Sequence, residues 1–142
     1  MITGIRHFGI VVENFEKSLK FYKDILGFEP VNTVNENSAF IDEILALKLS
    51  RLKTCKLKSP DGNIIELLDF RGHTIPRKNF ISSTGPTHFA VTVADAQEAF
   101  DKLKAKGIQF ISEPQLSPDG FAKVAFCKAP EGTYIEIVEV LK

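Results

Sequence analysis

The chain repeats itself, and each copy sets one glutamate inside an apolar run. Ser59-Pro60-Asp61-Gly62-Asn63-Ile64-Ile65-Glu66-Leu67 returns seventy residues later as Ala129-Pro130-Glu131-Gly132-Thr133-Tyr134-Ile135-Glu136-Ile137. Upstream of each copy a histidine opens a similar run, His7-Phe8-Gly9-Ile10-Val11-Val12 and then His88-Phe89-Ala90-Val91-Thr92-Val93. A duplication on this scale requires the same supersecondary unit to be built twice, so the repeat constrains the fold before any single motif does.

Around these anchors the two copies align element by element. In the first, a strand over residues 5–12 leads to Asn14, a good helix cap, and then to a helix whose Phe15, Leu19, Tyr22 and Leu26 fall on one face before Gly27 ends it. In the second, a strand over 87–93 leads to Asp95 as cap and a helix over 96–106, with Ala99, Phe100 and Leu103 inward and Gly107 as the stop. Three strand patterns follow each helix, at 28–34, 52–58 and 64–70 and again at 109–112, 121–127 and 133–140. The expected class is α+β, two tandem βαβββ modules. The modules span residues 1–70 and 86–142, joined by a linker at 71–85 rich in Gly, Pro, Ser and Thr, and together form one structural domain. Thirty-three residues separate Gly27 from Pro60 but only twenty-three separate Gly107 from Pro130, so the first module carries an insertion near 37–49. Its apolar stretch over 39–47 suits a short helix, either over a pocket or against the core.

Composition narrows the function classes. Eighteen basic residues balance eighteen acidic ones, which leaves no electrostatic footprint for nucleic acid or an anionic membrane surface. No apolar run reaches membrane-spanning length, and no charged region followed by a long apolar segment marks a secretion signal. Cys55 and Cys127 have neither metal nor redox spacing and fit a reducing, cytoplasmic setting.

Side chains alternate across a strand, so His7 shares a face with Gly9 and Val11 while Phe8, Ile10 and Val12 face the helix. His88, Glu66 and Glu136 likewise point away from the helix-packing faces of their own strands. Taken singly, a strand histidine is a hydrogen-bonded core residue and a strand glutamate a rim residue. Matched placement of all four is harder to assign to packing, because a buried carboxylate needs compensation. Imidazole and carboxylate together suit Zn, Ni, Co, Mn or Fe, and two of each leave positions on a six-coordinate ion for water or substrate.

At this point the sequence resembles the vicinal oxygen chelate superfamily, which includes glyoxalase I, methylmalonyl-CoA epimerase, extradiol dioxygenases and the fosfomycin and bleomycin resistance proteins. The resemblance spans nearly the whole chain and rests on His7, Ser18-Leu19-Lys20-Phe21-Tyr22, Leu26-Gly27-Phe28, the two Pro-acid-Gly turns, His88 and Tyr134-Ile135-Glu136-Ile137-Val138-Glu139. It implies a curved, partly open mixed sheet around a metal-binding cleft. It also implies that His7, Glu66, His88 and Glu136 bind one divalent ion (Ni, Zn, Co or Mn, or Fe in a dioxygenase).

Glutamate at position 66 is the feature that resembles glyoxalase I, since oxygenases and fosfomycin enzymes use two histidines and one carboxylate. The implied activity is that of a lactoylglutathione lyase, a lyase or isomerase moving a proton beside a carbonyl through a metal-bound enediolate, with Glu136 or Glu66 as the proton shuttle. Methylmalonyl-CoA epimerase-like racemisation, Fe(II) extradiol dioxygenation and non-enzymatic ligand sequestration are the alternatives. Glyoxalase I enzymes hold glutathione through an arginine and an asparagine where this chain has Val11 and Phe70, which leaves the thiol open. The expected substrate is a 2-oxoaldehyde thiol adduct or an acyl-CoA, and the expected assembly a homodimer.

Overall fold

Strand pairing follows the repeat. A computed structural model describes residues 1–48 and 51–142, which divide into two units, Met1–Arg77 and Lys78–Lys142. The first contains β1 (Phe8–Val11), α1 (Phe15–Lys20), β2 (Glu29–Glu36), α2 (Ala39–Leu45), β3 (Leu52–Lys58) and β4 (Ile64–Asp69). The second contains β5 (His88–Val93), α3 (Ala96–Ala105), β6 (Gln115–Leu116), β7 (Ala122–Lys128) and β8 (Tyr134–Val140).

Each unit builds its own four-stranded mixed sheet, in the orders β1-β4-β3-β2 and β5-β8-β7-β6. In both, the strand beginning at or just after the histidine runs parallel to the glutamate strand, and the remaining pairs are antiparallel. This is the α+β, tandem βαβββ arrangement expected from the repeat.

The helices start where the caps lie. Asn14 accepts from the Lys17 amide at 3.0 Å, and Asp95 accepts from the Glu98 amide at 2.8 Å. A further anchor comes from the far end of the second sheet, where Glu139 accepts from the Ala96 amide at 2.9 Å. Within the first helix the expected inward face is corrected. After Lys20 the chain widens into a π-helical turn over Phe21–Ile25, in which the Leu26 amide reaches back to the Phe21 carbonyl at 3.0 Å. Ser18, three residues after Phe15 on the regular helix, and Phe21 are buried beside Phe15 and Tyr22, while Leu19 is only half-buried; the wider turn displaces the residue that follows it, and Leu26 is half-buried as well. Gly27 then ends the helix at a φ of 79°.

Alternation holds in the strands. Ile65 and Leu67 are buried on either side of the half-buried Glu66, and Ile135 and Ile137 are buried on either side of Glu136. The strand expected over 109–112 is not continuous. Phe110 makes a single bridge to Cys127, the chain bends away before Pro114, and pairing resumes only at Gln115 and Leu116. Proline has no amide to continue a ladder, which accounts for the break. The insertion forms α2 as expected, burying Ile41 and leaving Phe40 and Ile44 exposed; its last expected residue, Leu49, lies outside the described residues. Among the described residues no helix is long and apolar enough to cross a membrane.

Tyr22 is fully buried, with its ring centroid 5.0 Å from that of Phe21 and 6.3 Å from that of Phe28. Tyr22→Ala removes that packing and is expected to cost about 3–5 kcal/mol in denaturant unfolding, the range for emptying an aromatic site. Cys127 is also buried, which pushes its thiol up to about 12 from an ordinary 9.0. The unfolded thiol ionises first, so stability present below about pH 9 is lost as pH rises toward about 12. Cys127→Ala should show a shallower loss of stability over that window, and the native wild-type thiol should resist iodoacetamide at pH 8.

Candidate metal centre

Two turns deliver the glutamates. In the first, the Gly62 amide donates to the Ser59 carbonyl at 2.9 Å, and Gly62 takes a φ of 92° that a side chain adopts only with strain. Asp61 braces this turn: its carboxylate accepts from the Ser59 hydroxyl and from the amide and side chain of Asn63, contacts that hold it below the usual carboxylate range. Gly132 repeats the geometry at a φ of 95°, its amide donating to the Ala129 carbonyl at 3.0 Å. From each turn the chain enters the glutamate strand in register with the histidine strand. Gly9 lies opposite Glu66 and Ala90 opposite Glu136, so each histidine sits two residues before the position facing its glutamate.

The outcome is two imidazole–carboxylate pairs. His7 Nε2 stands 3.9 Å from Glu66 Oε1, with 32% of the histidine side chain and 14% of the glutamate side chain exposed. His88 Nε2 stands 3.6 Å from Glu136 Oε2. Both separations are longer than a hydrogen bond. They fall between the spacings of two ligands on one ion, which at bonds of about 2.1 Å are about 3.4 Å in a tetrahedron and about 4.2 Å across the ion, so each pair is within reach of a shared ion without standing at an ideal angle.

The other ring nitrogens differ. His88 Nδ1 lies 3.0 Å from the Thr87 hydroxyl, the outer contact that fixes a ligating ring, whereas His7 Nδ1 is buried without a hydrogen-bond partner among the described residues. The donor set of each pair therefore fits a divalent ion of the Zn, Ni, Co or Mn kind. The structure brings His7 to Glu66 and His88 to Glu136. Among the described residues, no three His, Cys, Asp or Glu side chains group closely enough to hold a metal ion together.

Three neighbours of the pairs escaped sequence reasoning. Lys56, opposite Glu66 on the adjacent strand, places Nζ 3.6 Å from Glu66 Oε2, so the carboxylate faces a histidine with one oxygen and a lysine with the other. The equivalent position opposite Glu136 is Phe126, whose ring lies edge-on to His88 with centroids 5.5 Å apart. Alternation would have put Lys56 on the correct face of its strand, but only the register sets it beside Glu66. In the segment expected to be a linker, Asn79 donates to the carbonyls of Thr87 at 3.1 Å and Gly132 at 3.0 Å, tying together the starts of the histidine and glutamate strands.

With two such sheets and two histidine–glutamate pairs, the molecule has the features of a vicinal oxygen chelate protein. Residues 4–137 match the model of the Glyoxalase/Bleomycin resistance protein/Dioxygenase superfamily, and the chain belongs to that family. It is 27% identical over 135 residues to a probable lactoylglutathione lyase of Vibrio parahaemolyticus, covering 95% of this chain and 89% of that protein. A glyoxalase family protein from Bacillus cereus has the same fold, with a TM-score of 0.89 at 22% identity over 100% of this chain and 97% of the other. A fosfomycin resistance protein from Listeria monocytogenes, determined with Mn(II) and sulfate, aligns with a TM-score of 0.64 at 16% identity over 98% of this chain and 93% of the other.

Gly62→Ala adds a Cβ that meets no atom within 4 Å, so its cost is conformational alone. The expected loss is about 1–2 kcal/mol, measured by urea unfolding.

Proposed function

We propose that the protein is a metal-dependent lyase or isomerase of the glyoxalase I type, in which His7, Glu66, His88 and Glu136 are the ligands of one divalent ion. The observation that carries this reading is the pair of imidazole–carboxylate contacts, 3.9 and 3.6 Å apart, each on the unburied face of its sheet. The two pairs come from one chain or from the two subunits of a homodimer. The names of relatives that span nearly the same length support the lyase chemistry.

When bound, a divalent ion supplies electrostatic stabilisation to the negative charge that develops on a substrate oxygen. The chain's own residues do the rest. His7 and His88 face their carboxylate partners across the strand pairing, and the Thr87 hydroxyl orients the His88 ring. Glu136 or Glu66 takes the proton from the carbon beside a carbonyl and returns it to the neighbouring carbon, while the hydroxyl proton moves to the former carbonyl oxygen. For the thiol adduct of a 2-oxoaldehyde the product is a 2-hydroxyacyl thioester, with no oxidant or reductant consumed.

A second reading, epimerisation of an acyl-CoA thioester, uses the same proton abstraction and is favoured by Val11 and Phe70. Val11 is 48% exposed and Phe70 half-buried, and neither offers a polar group to glutathione.

Purified protein reloaded with Ni, Zn, Co or Mn is expected to isomerise methylglyoxal in the presence of a thiol, or to exchange the α-proton of methylmalonyl-CoA with deuterated water. Glu136→Gln should weaken retention of the ion and lower kcat by about 100-fold, the loss expected of a residue that serves as metal ligand or as general base. Failure of the wild type to bind any of these ions, or full activity in Glu136→Gln, would overturn the reading.

A further inference from the structure

The two modules repeat their histidine, their glutamate and the strand order around them, but not the residue across from the glutamate. Lys56 and Phe126 occupy that position. In the second module the face beside Glu136 is therefore uncharged at this point. In the first, Gly9, Glu66, Lys56 and Asn32 form a row across the four strands, and the ammonium shares the carboxylate with His7.

Lys56 is held between solvent and sheet, with 33% of its side chain exposed, and among the described residues its charged contact is to Glu66 at 3.6 Å. A divalent ion taken up by His7 and Glu66 sets two cations on one carboxylate. The ion would bind the carboxylate directly, and the ammonium, on a flexible four-carbon stem, would be the one to give way. A half-buried ammonium that has lost its counter-ion is costly and is satisfied by another anion beside the ion.

We propose that Lys56 is the specificity-determining cation of the site: held by Glu66 in the metal-free protein, it passes to a negatively charged oxygen of the substrate once the ion occupies the pair. The site then favours small carbonyl compounds that present an anionic oxygen near the reacting carbons, whether a carboxylate or the enediolate oxygen that develops as the proton leaves a thiol adduct. This rests on the metal reading given above. Lys58, two residues along the same strand face and exposed, has no contact with Glu66 and supplies the control.

The test is calorimetric titration of each protein first with Ni or Zn alone and then, once loaded, with oxalate, a small dianion with two vicinal oxygens. Lys56→Gln is expected to bind the metal at least as tightly as wild type and oxalate about tenfold more weakly. Lys56→Arg, which keeps the charge, should stay within about threefold of wild type for oxalate, and Lys58→Gln within about twofold. The Arg variant also separates loss of charge from loss of packing, and Lys56→Met replaces Lys56→Gln if the latter melts early. Oxalate affinity unchanged in Lys56→Gln or Lys56→Met, with metal binding intact, overturns this inference and leaves the metal reading standing. Equal weakening in Lys58→Gln overturns it in favour of general surface charge. A wild type that takes up no ion overturns the metal reading and this inference with it.

Discussion

Everything at the candidate centre depends on one pairing repeated twice, the parallel contact between the histidine strand and the glutamate strand. Parallel neighbours require a crossover, and the helix that follows each histidine strand begins it. Because the register sets Gly9 against Glu66 and Ala90 against Glu136, each imidazole reaches its carboxylate diagonally, across a residue too small to intervene. A slip of one residue would turn each glutamate into the apolar layer between sheet and helix. The buried flanks Ile65, Leu67, Ile135 and Ile137 make that slip costly, so the hydrophobic layer holds the polar one in place.

Duplication has kept the skeleton and changed its dressing. Both modules use a glycine with positive φ in the turn before the glutamate, an Asn or Asp cap on the helix after the histidine strand, and a buried cysteine on the strand next to the glutamate. They part where chemistry would be tuned. One carboxylate is shared with Lys56 while the other has Phe126 as its cross-strand partner, and one imidazole is braced by Thr87 while the other has a buried nitrogen with no hydrogen-bond partner among the described residues. The first module also carries α2, a short helix that buries little of its own apolar surface.

Much of this was legible in the chain because it rests on local rules. The α+β class, the two βαβββ modules, the caps at Asn14 and Asp95, the stops at Gly27 and Gly107 and the faces of His7, Glu66, His88 and Glu136 follow from periodicity, turn chemistry and repetition. The errors lie where neighbours override local preference. On the first helix Ser18 and Phe21 took the inner face with Phe15 and Tyr22 while Leu19 stayed half-buried, and the π-helical turn at Phe21–Ile25 displaced Leu26, which a regular helical period cannot anticipate. The strand expected over 109–112 became one bridge and a displaced pair of residues, since an edge strand with a proline has little to hold it straight.

The sequence by itself determined which imidazoles and carboxylates are candidate ligands and that each sits in an equivalent place in its module, because side-chain alternation and a duplicated turn are properties of the chain alone. Tertiary structure decided which groups meet. Only strand register brings His7 and Lys56 to opposite oxygens of Glu66, or sets Phe126 beside Glu136, since register is fixed by hydrogen bonds between segments distant in sequence and by burial of the opposite face. The repeated phrase fixed the likeness of the two modules, and the cross-strand neighbours fixed their difference.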